Sequence, residues 1–266
     1  PADILPADRK GLSDLLEARS GHGPFTCRLG DELVDMAIDA AGAGGIAVHY
    51  NFPKDGAPEF VQTFAQWMED ELGITPNDEL RVAMYAHAAN GGIRIDAHAK
   101  TNVPGLFACG EVTGGMHGAD RIGGLSSANG LVFGRIAGKG AANHGTTTSA
   151  CINVDRILKE SLERIRRSAA PLDDMDASRI TKDMQGTMSA HAMIQRTDEG
   201  LATALDDIER LQREARYHGD CRGCVIPADA ALARGIRVSS QLKLAQAMLQ
   251  AMRSRTEGLG SHYRAD

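Results

Sequence analysis

The stretch EVTGGMHGADRIGGLSSANGLVFGRIAG (residues 111–138) lies between an apolar, strand-like run and a helix-like run, and it is rich in glycine. Glycines at such density usually let a backbone approach something closely. Neither GxGxxG nor GxxxxGK(S/T) can be read in this stretch, so it lacks the spacing of a phosphate loop. The glycines therefore predict a close approach to a group other than a nucleotide phosphate.

Arg121 stands alone among mostly small and neutral residues, where the helix of this stretch should begin. A guanidinium group is the side chain best suited to bidentate recognition of a carboxylate or a phosphate. Two interpretations remain open: Arg121 binds an anion, or it pairs with Asp120 or Glu111 as part of the scaffold. His87 and His117 also lie beside glycine-rich turns.

Periodicity outside this stretch indicates helices, short strands and one spacer. The first 25 residues are expected to be an irregular lead-in, and the only tryptophan, Trp67, is expected in the core. The predicted elements are a helix over 31–42, a strand over 45–52, a helix over 58–73, three short strands over 80–112, a helix near 125–142, a polar linker over 143–150, and helices over 153–168, about 189–217 and about 228–256.

The composition is that of an ordinary globular protein: 42% of the 266 residues are hydrophobic, 24% are charged and the net charge is −6. This charge argues against a nucleic-acid partner. No run reaches the length of about 20 apolar residues that a membrane span needs. The first residues do not read as a signal peptide, and five cysteines do not form a disulfide scaffold, so the expected location is the cytoplasm.

One motif could suggest a metal. HGDCRGC (residues 218–224) has a His-x2-Cys-x2-Cys spacing. A closed zinc site needs four ligands, and no second pair of ligands lies nearby in the sequence. We therefore predict no metal site.

The longer segment TNVPGLFACGEVTGGMHGADRIGGLSSANGLVFGRIAG (residues 101–138) resembles the second FAD-contacting segment of the succinate dehydrogenase, fumarate reductase and L-aspartate oxidase flavoproteins. AHAANGGIRID (86–96) resembles the histidine and Gly-Gly block of that family. MIQRTDEGLATALDDIERL (193–211) and RTEGLGSHYRAD (255–266) resemble its C-terminal helical domain. The short EVTGGMHG spacing and the Gly-Gly after Arg121 and Ile122 look closer to fumarate reductases than to aspartate oxidases.

The resemblance implies an α/β and α+β fold with three parts. These are a lead-in and α+β capping domain (1–84), a return segment of a partial, Rossmann-like FAD-binding domain (85–145), and a C-terminal three-helix bundle (146–266). The N-terminal unit with GxGxxG that opens the family fold is not found in this sequence. The adenine and pyrophosphate contacts are therefore expected from a missing N-terminal FAD-binding segment, in the same or a separate chain.

The resemblance also implies residue roles at the FAD cofactor. Glu111, preceded by Gly110, matches the glutamate that contacts the ribityl and pyrophosphate region. Ser126 and Ser127 stand where backbone N–H groups meet the pyrimidine edge of the flavin. A helix N-terminus aimed at that edge would stabilise the negative charge gained on reduction.

For the substrate, His87 matches the histidine that holds one carboxylate of a dicarboxylate, and Arg121 matches the arginine that holds the other. The family's proton-transferring arginine aligns with Asp31, which leaves Arg28 as the nearest candidate for proton transfer. The family's C-terminal E-S-R-G is EGLG here, so Leu259 replaces its arginine.

The function implied is an FAD-dependent interconversion of fumarate and succinate, or of a similar C4 dicarboxylate, by hydride exchange with flavin N5. An electron-transfer partner is a further expectation. The alternatives are an L-aspartate oxidase and a non-catalytic fragment or scaffold without bound flavin.

Overall fold

The computed structural model describes residues 4–23, 25–48, 57–75, 78–147, 153–168, 170–217 and 228–266. The chain divides into two compact units: unit 1 comprises Pro1–His22 and Gly30–Ala86, and unit 2 comprises Gly23–Leu29 and His87–Asp266. The helices are α1 (Arg9–Ser20), α2 (Leu33–Ala40), α3 (Glu59–Leu72), α4 (Leu125–Thr147), α5 (Val154–Ser168), α6 (Asp174–His191), α7 (Asp198–Tyr217) and α8 (Ala228–Ser254). The strands are β1 (Ile46–Val48), β2 (Leu80–Val82), β3 (Ile93–Arg94), β4 (Thr113–Gly114), β5 (Gln195–Arg196) and β6 (Tyr263–Arg264).

Unit 1 contains a helix that the sequence analysis missed. The expectation of an irregular lead-in is wrong, because the 12 residues of α1 occupy nearly half of it. The Asp8 carboxylate caps this helix by accepting a 2.7 Å hydrogen bond from the Gly11 amide, which satisfies one of the N–H groups that a helix start leaves unpaired. The helices predicted around α2 and α3 are confirmed, and Gly73 ends α3 with φ of 66°.

Helix α3 carries a second apolar face besides the one packed in unit 1. Met68 is buried, whereas Phe60, Phe64 and Trp67 point outward at i, i+4 and i+7. The prediction of a core tryptophan is wrong, since Trp67 is 49% exposed and stacks on Phe64 with 5.8 Å between ring centroids. Strands β1 and β2 form an antiparallel pair within the same unit.

In unit 2, the part of the chain that starts at His87 forms the parallel pair β3–β4 and then α4. Gly92 and Gly114 lie where these strands approach: a methyl group on Gly92 would collide with the Val112 carbonyl, and one on Gly114 would lie 2.6 Å from the Gly92 nitrogen. Part of the glycine density thus serves strand contact. Helix α4 continues to Thr147, so the linker prediction is wrong for 143–147, and 148–150 lie outside the described residues.

Helices α6, α7 and α8 form a three-helix bundle around one core. Its buried side chains are Leu172, Ala177, Ile180, Ala192, Leu201, Ala204, Ile208, Leu211, Ala215, Val238, Leu242, Ala245 and Leu249. The prediction of a C-terminal three-helix bundle is confirmed, but the bundle contains α6 in place of the helix predicted over 153–168. Helix α6 was missed, the helix expected from 189 begins at Asp198, and α5 leaves Val154 and Leu158 exposed.

Within the part of the chain that the structure describes, no helix is both long enough and apolar enough to cross a membrane.

Candidate active site

The segment that carries His87 is tied to the start of β4 through Glu111. The Ala89 amide donates a 3.1 Å hydrogen bond to Glu111 Oε1. His87 itself is exposed, and its imidazole has no hydrogen-bond partner among the described residues. One oxygen of Glu111 therefore holds the backbone beside His87 in place, whatever its second oxygen contacts.

The turn before β4 is held by a buried hydroxyl group. Thr113 is almost fully buried, and its Oγ1 donates a 2.6 Å hydrogen bond to the Gly110 carbonyl. Gly110 has φ of 78°, a left-handed conformation that glycine adopts without strain. This bond fixes the short 3-10 turn of Gly110–Val112, which places Glu111 beside Ala89.

Arg121 follows β4 and is half-buried. Across the described residues its guanidinium lies within 4.0 Å of no carboxylate, so the interpretation that it pairs with Asp120 or Glu111 is wrong. Partial burial of a cation is unfavourable unless a counter-charge or strong acceptors compensate it. The arrangement favours an external anion as the partner of Arg121.

The first turn of α4 presents free backbone donors. Leu125 N bonds to the Ile122 carbonyl at 3.2 Å and Ala128 N to the Gly124 carbonyl at 3.4 Å, whereas the amides of Ser126 and Ser127 have no acceptor in the described part of the chain. No acidic residue occupies this turn. Unpaired N–H groups and the positive end of the helix dipole together suit an electron-rich group.

Asn129, which no sequence motif singled out, lies in the same part of α4. It is only 8% exposed, its Nδ2 lies 3.5 Å from His117 Nε2, and its buried Oδ1 has no donor among the described residues. A buried amide oxygen without a donor is costly and indicates an absent partner. The only signal in the sequence is an amide side chain among the small and apolar residues of the first turns of α4.

The loop between α8 and β6 (residues 255–262, the C-terminal loop) contacts three segments that are far apart in the sequence. The Ser261 amide donates to the Ala119 carbonyl at 3.2 Å, and Asn90 Nδ2 donates to Ser261 Oγ at 3.4 Å. The Cys27 amide donates to the Gly260 carbonyl at 2.9 Å. The C-terminal loop thereby connects the segment of residues 87–90 (the His87 segment), the turn of residues 119–121 (the Arg121 turn) and the short segment that contains Arg28.

His262 anchors the C-terminal loop through both nitrogens of its imidazole ring. It is 3% exposed; its Nε2 lies 3.0 Å from the Arg255 carbonyl, and its Nδ1 lies 2.6 Å from Arg196 Nη1. Nε2 must donate and Nδ1 must accept, so the imidazole is neutral. Burial, followed by the charges of Arg196 and Arg255, lowers the pKa of His262, and burial with Arg255 lowers the pKa of Arg196 to about 10.

Arg28 and Asp31 fall in different units. Arg28 is exposed in the short segment that belongs to unit 2, and its amide donates to Thr26 Oγ1 at 3.4 Å. Asp31 is 4% exposed in unit 1, where its Oδ2 lies 2.7 Å from His22 Nε2. The residue aligned with the family's arginine is thus a buried acid engaged with a histidine.

Neighbouring residues extend this buried polar network of unit 1. Arg19 forms a bidentate pair with Asp35 through Nε at 2.6 Å and Nη2 at 3.0 Å. The hydrogen bond to Asp35 raises the pKa of Arg19. The pair crosses from α1 to α2 and holds these helices together.

Two protein-family profiles match the chain. The profile described as "FAD binding domain" matches residues 25–127, and that described as "Fumarate reductase flavoprotein C-term" matches residues 181–266. The chain belongs to the succinate dehydrogenase, fumarate reductase and L-aspartate oxidase family of flavoproteins. FAD is the cofactor of this family, as the sequence resemblance implied.

The curated relatives of the chain include both fumarate reductase subunits and an L-aspartate oxidase. The chain is 30% identical over 202 residues to the fumarate reductase flavoprotein subunit of Escherichia coli, covering 73% of this chain and 33% of that protein. It is 35% identical over 202 residues to L-aspartate oxidase of Streptomyces coelicolor, covering 73% and 33%. The chain therefore spans about a third of the length of these relatives.

Solved structures share the fold. Quinol fumarate reductase of Escherichia coli superposes with a TM-score of 0.74 at 23% identity, covering 98% of this chain and 48% of that one. Sdh1 of Mycobacterium smegmatis superposes with a TM-score of 0.73 at 26% identity, covering 93% and 43%.

The described residues fit the ring edge of a flavin. Its pyrimidine edge carries carbonyl acceptors and an N–H donor, which are complementary to the free amides of Ser126 and Ser127 and to the unpaired Oδ1 of Asn129. The first turn of α4 would also favour negative charge on that ring. Gly110, Glu111, Ser126 and Ser127 remain predicted cofactor contacts.

Among the described residues, no cluster of three or more histidine, cysteine or acidic side chains could hold a metal ion. The HGDCRGC motif lies outside the described residues.

Proposed function

We propose that the intact protein is an FAD-dependent oxidoreductase that interconverts fumarate and succinate, or a similar C4 dicarboxylate. The observation that carries this proposal is Arg121, a half-buried cation without a carboxylate partner among the described residues. It lies on a turn that the C-terminal loop links to the segment of His87. Two potential carboxylate anchors thus belong to one assembly of loops.

In this proposal the protein binds and orients the substrate. Arg121 binds one carboxylate through its planar guanidinium, and His87 binds the other. Fixing both ends of a short dicarboxylate limits its rotation and aligns its central carbon–carbon bond. Bound FAD would supply the redox chemistry, as the acceptor or donor of a hydride at one of these two carbons.

Glu111 supports His87 through the Ala89 amide, and the first turn of α4 supports the cofactor. Arg28 is the proposed proton-transfer residue, since Asp31 is engaged with His22. We further infer that the adenine and pyrophosphate contacts come from an N-terminal FAD-binding segment, in the same or a separate chain. Solved relatives described as quinol fumarate reductase favour an electron-transfer partner as well.

The test is replacement of Arg121 by alanine in the intact flavoprotein. Loss of a bidentate, charge-assisted contact of about 3–5 kcal/mol lowers kcat/KM for fumarate by roughly 10²–10⁴-fold. Arg121→Lys keeps the charge but loses the planar fork, so it recovers only part of the activity. Arg135→Ala is the matched control, because Arg135 is an exposed arginine of α4, the helix that follows Arg121 in the chain.

Fumarate reduction is measured with a reduced dye, and bound FAD is measured by absorbance. We expect Arg121→Ala to retain FAD and to lose turnover. Turnover within about threefold of wild type would contradict the carboxylate role.

The second candidate function is an L-aspartate oxidase, which the 35% identity to the Streptomyces coelicolor enzyme favours. Supplying L-aspartate with oxygen separates the two candidates: peroxide formation without fumarate turnover would identify the oxidase. A protein that shows no flavin absorbance after reconstitution with FAD would instead be the non-catalytic scaffold.

A further inference from the structure

We propose that the turn Gly260–Ser261 is a positioning element that holds the Arg121 turn and the His87 segment in register. Ser261 is a positioning residue that acts through Ala119 and Asn90. This inference rests on the proposed function, because it assigns the turn to the two carboxylate anchors.

Ser261 uses both its amide and its hydroxyl group. The amide donates to the Ala119 carbonyl at 3.2 Å and Oγ lies 3.4 Å from the same oxygen. Oγ also accepts from Asn90 Nδ2 at 3.4 Å. Ala119 precedes Arg121 by two residues and Asn90 follows His87 by three, so one small side chain bridges both anchor-bearing segments.

Gly260 allows this bridge to form. Its φ of 64° lies in the left-handed region, and a methyl group there would collide with the Ala119 carbonyl oxygen. The residue is buried. Any other residue would therefore both strain the turn and push it away from the carbonyl that Ser261 binds.

The two residues that flank the turn, Leu259 and His262, also hold it in place. Leu259 and His262 exchange two backbone hydrogen bonds of 2.8 and 3.3 Å. His262 is anchored to Arg196 and to the Arg255 carbonyl. A rigid support is what a positioning element requires, since a flexible one would follow the loops rather than fix them.

The primary test is Ser261→Ala in the intact flavoprotein, with fumarate turnover and malonate affinity as readouts. Malonate is an unreactive dicarboxylate whose dissociation constant is measured from the change in flavin absorbance. Because a misplacement of about 1 Å is costly at a reacting centre, we expect kcat/KM to fall by roughly 10–100-fold, and malonate to bind several-fold more weakly.

Controls separate positioning from general damage. Ser261→Thr keeps the hydroxyl group and restores activity, and the matched variant Ser254→Ala removes an exposed serine that bonds only within α8. In a double-mutant cycle, Ser261→Ala and Asn90→Ala are less than additive, because both remove the same contact. The Tm and the FAD content stay close to wild type.

If Ser261→Ala keeps kcat/KM and malonate affinity within about threefold of wild type while Arg121→Ala is inactive, the positioning role is overturned and the proposed function stands. Additive effects of the Ser261 and Asn90 substitutions would likewise overturn it. If Arg121→Ala remains active, the proposed function fails and this inference fails with it.

Discussion

His262 is the residue whose replacement most directly tests the structure of the C-terminal loop. In His262→Ala, Arg196 Nη1 loses its acceptor and the Arg255 carbonyl loses its donor, both in a partly buried position. Each buried polar group left unpaired costs about 1–3 kcal/mol, so the change costs roughly 2–5 kcal/mol. The amide side chain in His262→Gln can donate and accept at once, and it should recover most of this loss.

The effect is measured by hydrogen exchange at Ala265, whose amide donates to the Arg196 carbonyl at 3.0 Å. A loss of about 2–5 kcal/mol in local opening free energy accelerates that exchange by roughly 30- to 5,000-fold. Amides in the core of α7 report whether the effect stays local. Exchange at Ala265 that rises by less than about threefold in His262→Ala would show that His262 does not hold this loop.

The same residue predicts a pH dependence. The pKa of His262 in the folded protein is lower than its ordinary value, so below that ordinary value, about 6.5, the unfolded chain binds more protons. The free energy of unfolding of wild type therefore falls as the pH drops through this range, and His262→Gln lacks this component. We expect the stability gap between wild type and His262→Gln to be larger at pH 8 than at pH 5.5. A gap independent of pH would show that His262 is not held neutral.

Three further substitutions test other parts of the structure. Leu201→Ala leaves a cavity in the bundle core and lowers the free energy of unfolding by about 2–5 kcal/mol in denaturant titrations; a loss below about 1 kcal/mol would argue against the packing. Asp35→Asn removes the charge of the carboxylate that pairs with Arg19 between α1 and α2 and destabilises unit 1 by about 2–4 kcal/mol, measured by thermal unfolding with Asp14→Asn as an exposed control. Glu111→Ala releases the Ala89 amide and, under the proposed function, raises the KM for fumarate by about 3–10-fold, whereas Glu111→Gln keeps the acceptor and stays near wild type.

The sequence predicted helices best where apolar spacing and end signals agree. In α7, Leu201, Ile208 and Leu211 repeat on one face and are fully buried, and in α3 a terminal glycine marks the end. Helix α6 was missed because polar residues dominate it and only Ile180 is a large buried aliphatic side chain. Its start is encoded instead by the Asp173 cap, which accepts from the Asp176 amide at 2.7 Å.

The site was predictable only in part. The resemblance to flavoprotein motifs singled out His87 and Arg121, because those residues lie in short recognisable patterns. Asn90 and Ser261 carry no such pattern, and their contact joins residues 171 positions apart. Contacts of this kind arise from tertiary packing, which neither periodicity nor local spacing encodes.

The loop contact has a consequence for the order in which the protein is built. Ser261 is synthesised 142 residues after Ala119. At about 5–20 residues per second, roughly 7–30 s pass between the two on the ribosome. During that interval the turn of Arg121 lacks its final support, so the candidate carboxylate site is among the last parts of unit 2 to become rigid. Until residue 261 has been added, a nascent chain therefore carries Arg121 on a turn that lacks its contact with Ser261.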